Sequence, residues 1–329
     1  RPPRSTLFPY TTLFRSLLLN ISLSAQPEKI PYLGDKPGTF EILTRTNYSM
    51  YQKFTPAEMT ANMERIKELV AIFRQDPVLA DIKGFMGRAR IYDISNTLKC
   101  NYGVPARVSF EFSDYLYSKG KISYNTIEPP EWSILLNHMS GYWNGFNTEK
   151  CMFTIPFNKK TIAPGVDVYD DVTYVIYDPS RPPYWVPVTV EEAFAVAREE
   201  AKKEKDDIAA KYLNDFVEKE CAAISPANLK NQAYFGGGIT RVSDASGFGD
   251  QKNLFPPIVK VNPEYWNKNL PKSAIQFMVL TISMDKKYLQ SEYESCVKHQ
   301  YYGETCNLAR FMVSYDEEEI KKLTQLIGK

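Results

Sequence analysis

Histidine is almost absent from this sequence: His138 and His299 are the only two in 329 residues. An imidazole-based zinc site would need both, and no HxxxH-type spacing brings two of them onto one helical face. The familiar catalytic signatures are missing as well. There is no GxSxG elbow, SxxK pair, GxxxxGK(S/T) phosphate loop or HExxH helix. No apolar run reaches the ~18–20 residues that a membrane-spanning helix needs. Charge of one sign is lacking too: 40 Lys and Arg against 39 Asp and Glu leave a net +1, which gives no broad attraction for nucleic acid or an acidic bilayer. These absences lead us to expect no cofactor, no resident metal, no nucleic-acid partner and no transmembrane segment.

What the chain does have is the composition of a folded protein. Apolar residues make up 43% and charged residues 24%, so wholesale disorder is excluded. The 22 tyrosines fit strands and half-buried surfaces, where the ring packs and the hydroxyl stays wet. Residues Thr6–Ser16, TLFPYTTLFRS, resemble a translated sequencing adapter, so residues 1–16 are set aside from fold reasoning. Residues 17–25, LLLNISLSA, read as the remnant of a signal peptide, with small residues where a signal peptidase cuts. The expectation is a secreted or periplasmic protein in which 26–329 forms one α+β globular region.

Five cysteines fit that compartment. Cys296 and Cys306 flank a short polar segment that a disulfide would close, and Cys100 with Cys151 is a second candidate pair. Cys221 is then left over. Five buried thiols are the alternative.

The organising stretch is Pro179–Cys221, a proline-rich approach followed by a long helical pattern. Thr189 and Glu192 have capping-box spacing. Val190, Phe194, Ala197, Ala201, Ile208, Tyr212 and Phe216 then keep to one stripe, which predicts a single long helix over 190–221. Lys205, inside the charged run 202–207, is the one residue that breaks the stripe. A second helix is predicted over 56–75, capped by Thr55 and Glu58, with Pro77 ending it. A third is predicted over 316–327, capped by Ser314 and Glu317.

Residues 85–180 read as mostly antiparallel sheet. Val108, Phe110 and Phe112 alternate with Arg107, Ser109, Glu111 and Ser113, the period of a strand with one wet face. Ser118–Lys121 makes a turn into a hairpin. Residues 172–177 are apolar on both faces and so belong at the sheet's centre, and 273–283 adds a further strand. Residues 224–252, with three consecutive glycines, read as a flexible loop.

The chemically richest stretch is 128–149. Trp132, Tyr142 and Trp143 stand among Asn137, His138, Asn144, Glu128 and Glu131, with Glu149 at its end. Flat rings beside amides and carboxylates suit a glycan or similar amphipathic ligand. Asp244 and Asp250 are a second candidate site if their loop closes over a cleft. The expectation is an exported binding or interaction protein without catalysis, whose partner is a small molecule, a glycan or another protein. A secreted hydrolase using carboxylates, and an assembly component docking through the long helix, are the alternatives.

Overall fold

The computed structural model describes residues 32–45, 54–93, 99–125, 127–139, 143–236, 248–249, 255–281, 286–299 and 305–329. Leu33–Lys329 forms one compact unit. Its first elements are β1 (Phe40–Arg45), α1 (Pro56–Phe73), α2 (Pro77–Ala80), β2 (Phe85–Asp93), β3 (Ala106–Ser118) and β4 (Lys121–Tyr124). Next come β5 (Glu131–Leu136), β6 (Asn144–Asn147), β7 (Met152–Thr154), β8 (Lys159–Ala163), β9 (Val166–Tyr169), β10 (Thr173–Tyr177) and β11 (Trp185–Pro187). The chain continues through α3 (Val190–Lys203), α4 (Asp207–Ala223), β12 (Tyr234–Phe235), β13 (Phe248–Gly249), β14 (Ile258–Val261) and β15 (Phe277–Thr281). It ends in α5 (Lys286–His299), α6 (Cys306–Ser314) and α7 (Glu317–Lys322).

Nine strands form one sheet in the order β1-β2-β3-β5-β15-β10-β9-β8, with β4 hydrogen-bonded to the far end of β3. Only the β1–β2 pair is parallel within this sheet; the other pairings are antiparallel. A smaller sheet runs β11-β14-β7-β6, and β12 pairs with β13. The expected α+β class with a mostly antiparallel sheet therefore holds. The β3–β4 hairpin turns through Lys119 and Gly120, both with positive φ (50° and 74°), the backbone of a tight turn whose twist matches the strands.

Side chains alternate across a strand, so β10 shows how the layers stack. Tyr174 and Ile176 enter an apolar cluster shared with α1, α2, α6 and α7. Val175, from the opposite face, enters a second cluster with Phe153, Trp185 and Val259 of the small sheet. A third cluster joins the outer face of that sheet to α3 through Met152, Ile258, Phe194 and Ala197. The order of layers is helices, large sheet, small sheet, helical pair. β10 lies between β15 and β9 with both faces covered, the central place its sequence indicates.

The helices depart from expectation. Seven are seen among the described residues rather than three, and the long helix over 190–221 is two. Glu204 takes an extended backbone (φ −64°, ψ 130°), and the Asp206 side chain then caps a new start, accepting from the N–H groups of Ile208 and Ala209. An aspartate that competes for backbone donors ends one helix and opens the next. The stripe ends there too: Val190, Phe194, Ala197 and Ala201 are buried, whereas Ile208 and Tyr212 are 83% and 68% exposed. Phe216 is half-buried.

Caps explain the other ends. Thr55 and Glu58 form the full reciprocal box of α1. At α3, Thr189 accepts from the Glu192 N–H, but the Glu192 carboxylate turns to Lys260 at 2.7 Å. At α7 the cap is Asp316 and not Ser314, whose hydroxyl donates to the Asp76 carboxylate instead. Among the described residues no helix is long and apolar enough to cross a membrane.

Both expected disulfides are present. Cys100–Cys151 ties the approach to β3 to the start of β7, and Cys296–Cys306 ties α5 to α6. Cys221, half-buried at the end of α4, is free.

Candidate functional site

The aromatic stretch around β5 does not gather on one surface. Trp132 faces the helical layer and is 4% exposed, with Phe73, Phe110, Phe311 and Tyr315 at ring-centroid distances of 5.1–5.8 Å. Trp143 packs on the opposite side of the large sheet, edge-on to Tyr169 at 5.0 Å. Asn137 has a positive φ of 49° and acts as a clip. Its amide donates to the carbonyls of Val104 and Ala274, and its oxygen accepts from the Gln276 N–H. His138 is largely buried, and desolvation lowers its pKa to about 4, so the imidazole is neutral near pH 7. Glu131 pairs with Arg107, Glu149 pairs with Lys203 at 2.9 Å, and Glu128 and Asn144 are exposed. Tyr142, Asp244 and Asp250 lie outside the described residues, as does the His299 side chain. Glu292 lies beside Cys296 and Cys306, with donor atoms within 4.8 Å of one another, but the two sulfurs are bonded together and offer no thiolate to a metal.

The polar face of β3, expected to be wet, is covered. Ser109, Glu111 and Ser113 are buried, and they share their sheet face with Arg88 and Arg90 of β2 and Glu131 and Ser133 of β5. Arg90 holds Glu111 at 2.7 Å, Arg107 donates to Ser133 at 3.0 Å, and Ser109 and Ser133 bond at 2.8 Å. Most of these groups pair with one another, which makes the patch a structural lattice, although Ser113 Oγ and the Arg88 Nε are buried without a hydrogen-bond partner among the described residues. Asp167, fully buried on β9, is saturated: it accepts from Thr161, Tyr177 and Tyr184 and pairs with Lys159 at 2.7 Å.

A cleft of about 620 Å³ opens on the helical side of the sheet, near its β8 edge. It is lined by Lys160 and Ile162 of β8, Val168 of β9, Asp170, Asp171 and Val172 of the β9–β10 turn, Tyr174 of β10, Lys287 of α5 and Glu317 of α7. Asp170 and Asp171 both have positive φ (48° and 59°), and the Val172 N–H closes the turn on the Tyr169 carbonyl at 3.1 Å. Aspartate tolerates this left-handed backbone better than most side chains, and the tight turn fixes two carboxylates at the rim. Asp171 pairs with Lys160 at 2.8 Å.

Tyr174 stands apart. It is 1% exposed and lines the cleft. Burial pushes its pKa up to about 12, and the charges of Glu317 and Asp171 add to the effect, so the phenol stays protonated beside two carboxylates of the cleft. The sequence did single out β10 for its apolar faces, but an alternating strand does not say which of its tyrosines ends against a cavity.

No family model, curated protein or solved structure matches this chain.

Proposed function

We propose that the protein is an exported binding protein without catalysis, and that its ligand lodges in the cleft between the β9–β10 turn and α5 and α7. Tyr174 carries the reading. Its side chain is 1% exposed, and what it presents to the surface lines a cavity of about 620 Å³, where a phenol can both donate to and accept from an arriving group. A mixed wall of aliphatic and ionic side chains and a volume within the usual ~300–1,000 Å³ of small-molecule sites support the same reading. At the rim, Lys160 and Asp171 hold each other in an ion pair at 2.8 Å. Two disulfides fit an oxidising compartment.

Thermal unfolding of the wild-type chain and of Ile162→Trp, which fills the cleft from half-exposed β8, tests the role against a panel of small metabolites. The expected result is a solute that raises the wild-type midpoint by several degrees and leaves the variant unmoved. A panel in which nothing separates the two proteins removes the reading.

A further inference from the structure

We infer that the cleft takes a zwitterionic α-amino-acid group, either a free aliphatic amino acid or the ends of a short peptide. The inference rests on the binding role proposed above and names the ligand class.

Three features of the lining converge on this chemistry. The first is its balance of charge: the carboxylates of Asp170, Asp171 and Glu317 line the cleft together with the ammonium groups of Lys160 and Lys287. A simple anion would meet three carboxylates, and a simple cation two ammonium groups. A solute carrying both charges finds a partner for each. The Lys160–Asp171 pair is exposed on both sides, so it contributes little and exchanges partners readily.

The second is the spacing of the acids. Among the described residues, the one triplet of His, Cys, Asp or Glu donors within 4.8 Å of each other is Glu292, Cys296 and Cys306. Asp170, Asp171 and Glu317 therefore do not converge on a single point, as chelation of a bare metal ion requires. Carboxylates spread around a rim suit an extended molecule.

The third is the neutral floor. The protonated phenol of Tyr174 can donate to a carboxylate or accept from an ammonium, so it serves either end of a zwitterion. Ile162, Val168 and Val172 supply an apolar wall for an aliphatic side chain.

Calorimetric titration of the full chain with valine, with valylvaline and with N-acetylvaline methylamide tests the class. Valine and valylvaline present both charges; the blocked compound has the same side chain and neither charge. At least one zwitterion is expected to bind saturably, at least tenfold tighter than the blocked compound. The comparison of valine with valylvaline tells a free amino acid from a peptide end. Tyr174→Phe, checked for wild-type circular dichroism, is expected to weaken binding about 5–10-fold through loss of one hydrogen bond, and Ile162→Trp to abolish it. Equal binding of the blocked compound, or unchanged affinity in Tyr174→Phe, overturns the inference. If the metabolite panel yields a cleft ligand but neither zwitterion binds, the ligand class is wrong and the binding role stands; if nothing occupies the cleft, both fall.

Discussion

Trp132 and Trp143 lie close in sequence and on opposite faces of the same sheet. Trp132 joins the aromatic cluster of Phe73, Phe110, Phe311 and Tyr315 beneath the helices. Trp143 rests at the edge of the inter-sheet core against Tyr169.

That placement sets the cost of losing each ring. Trp132→Ala opens a cavity where five aromatic rings meet and is expected to destabilise the protein by about 3–5 kcal/mol. Trp143→Ala, at a half-buried position, is expected to cost about 1–2 kcal/mol. Urea unfolding of the two variants checks the order, and a larger loss for Trp143→Ala would contradict the assignment of faces.

His138 makes stability depend on pH. Burial lowers its folded-state pKa from the ordinary imidazole value of 6.5 to about 4. Between those two values the unfolded chain takes up a proton that the folded chain refuses, so stability rises with pH across the window. The contribution is fully present above pH 6.5 and is lost progressively as pH falls toward 4. Its full size is about 3 kcal/mol. His138→Gln removes the titrating group, so the difference in unfolding free energy between pH 6.5 and 4 is expected to be smaller in the variant. An unchanged slope in denaturant titrations at the two pH values would contradict this.

The two disulfides differ in the length of chain they close. Cys100–Cys151 spans 51 residues and Cys296–Cys306 spans 10. Chain entropy predicts about 4 kcal/mol for the first and about 3 kcal/mol for the second. Paired Cys→Ala variants are expected to follow that order in guanidinium midpoint. Thiol titration of the denatured, unreduced protein is expected to find one free group, Cys221.

Local signals in the sequence located most elements. The Thr55–Glu58 box, the Ser118–Lys121 turn and the double apolar faces of β10 each have a cause within a few residues, and each matches what the fold displays. The break at Glu204–Asp206 was visible only as the misplaced Lys205. Periodicity alone does not distinguish a kinked helix from two helices, and Asp206 decides the matter through two hydrogen bonds. The wet face expected for β3 failed for a nonlocal reason: Arg88 and Arg90, on a strand the sequence does not mark as its neighbour, share that face. Tyr174 went unnoticed for the same kind of reason. Its significance depends on Glu317, far along the chain, and on the turn at Asp170 and Asp171, which the tertiary fold brings to one cleft.

The bond between Cys100 and Cys151 has a consequence for how the molecule comes apart. It fastens the two sheets at the middle of the stack, while α4 rests on the layers beneath with Val217 as its one buried residue. Opening is therefore expected to begin at α4, the least anchored helix, while α3, held by Val190, Phe194, Ala197 and Ala201, and the paired sheets stay together as a stitched kernel.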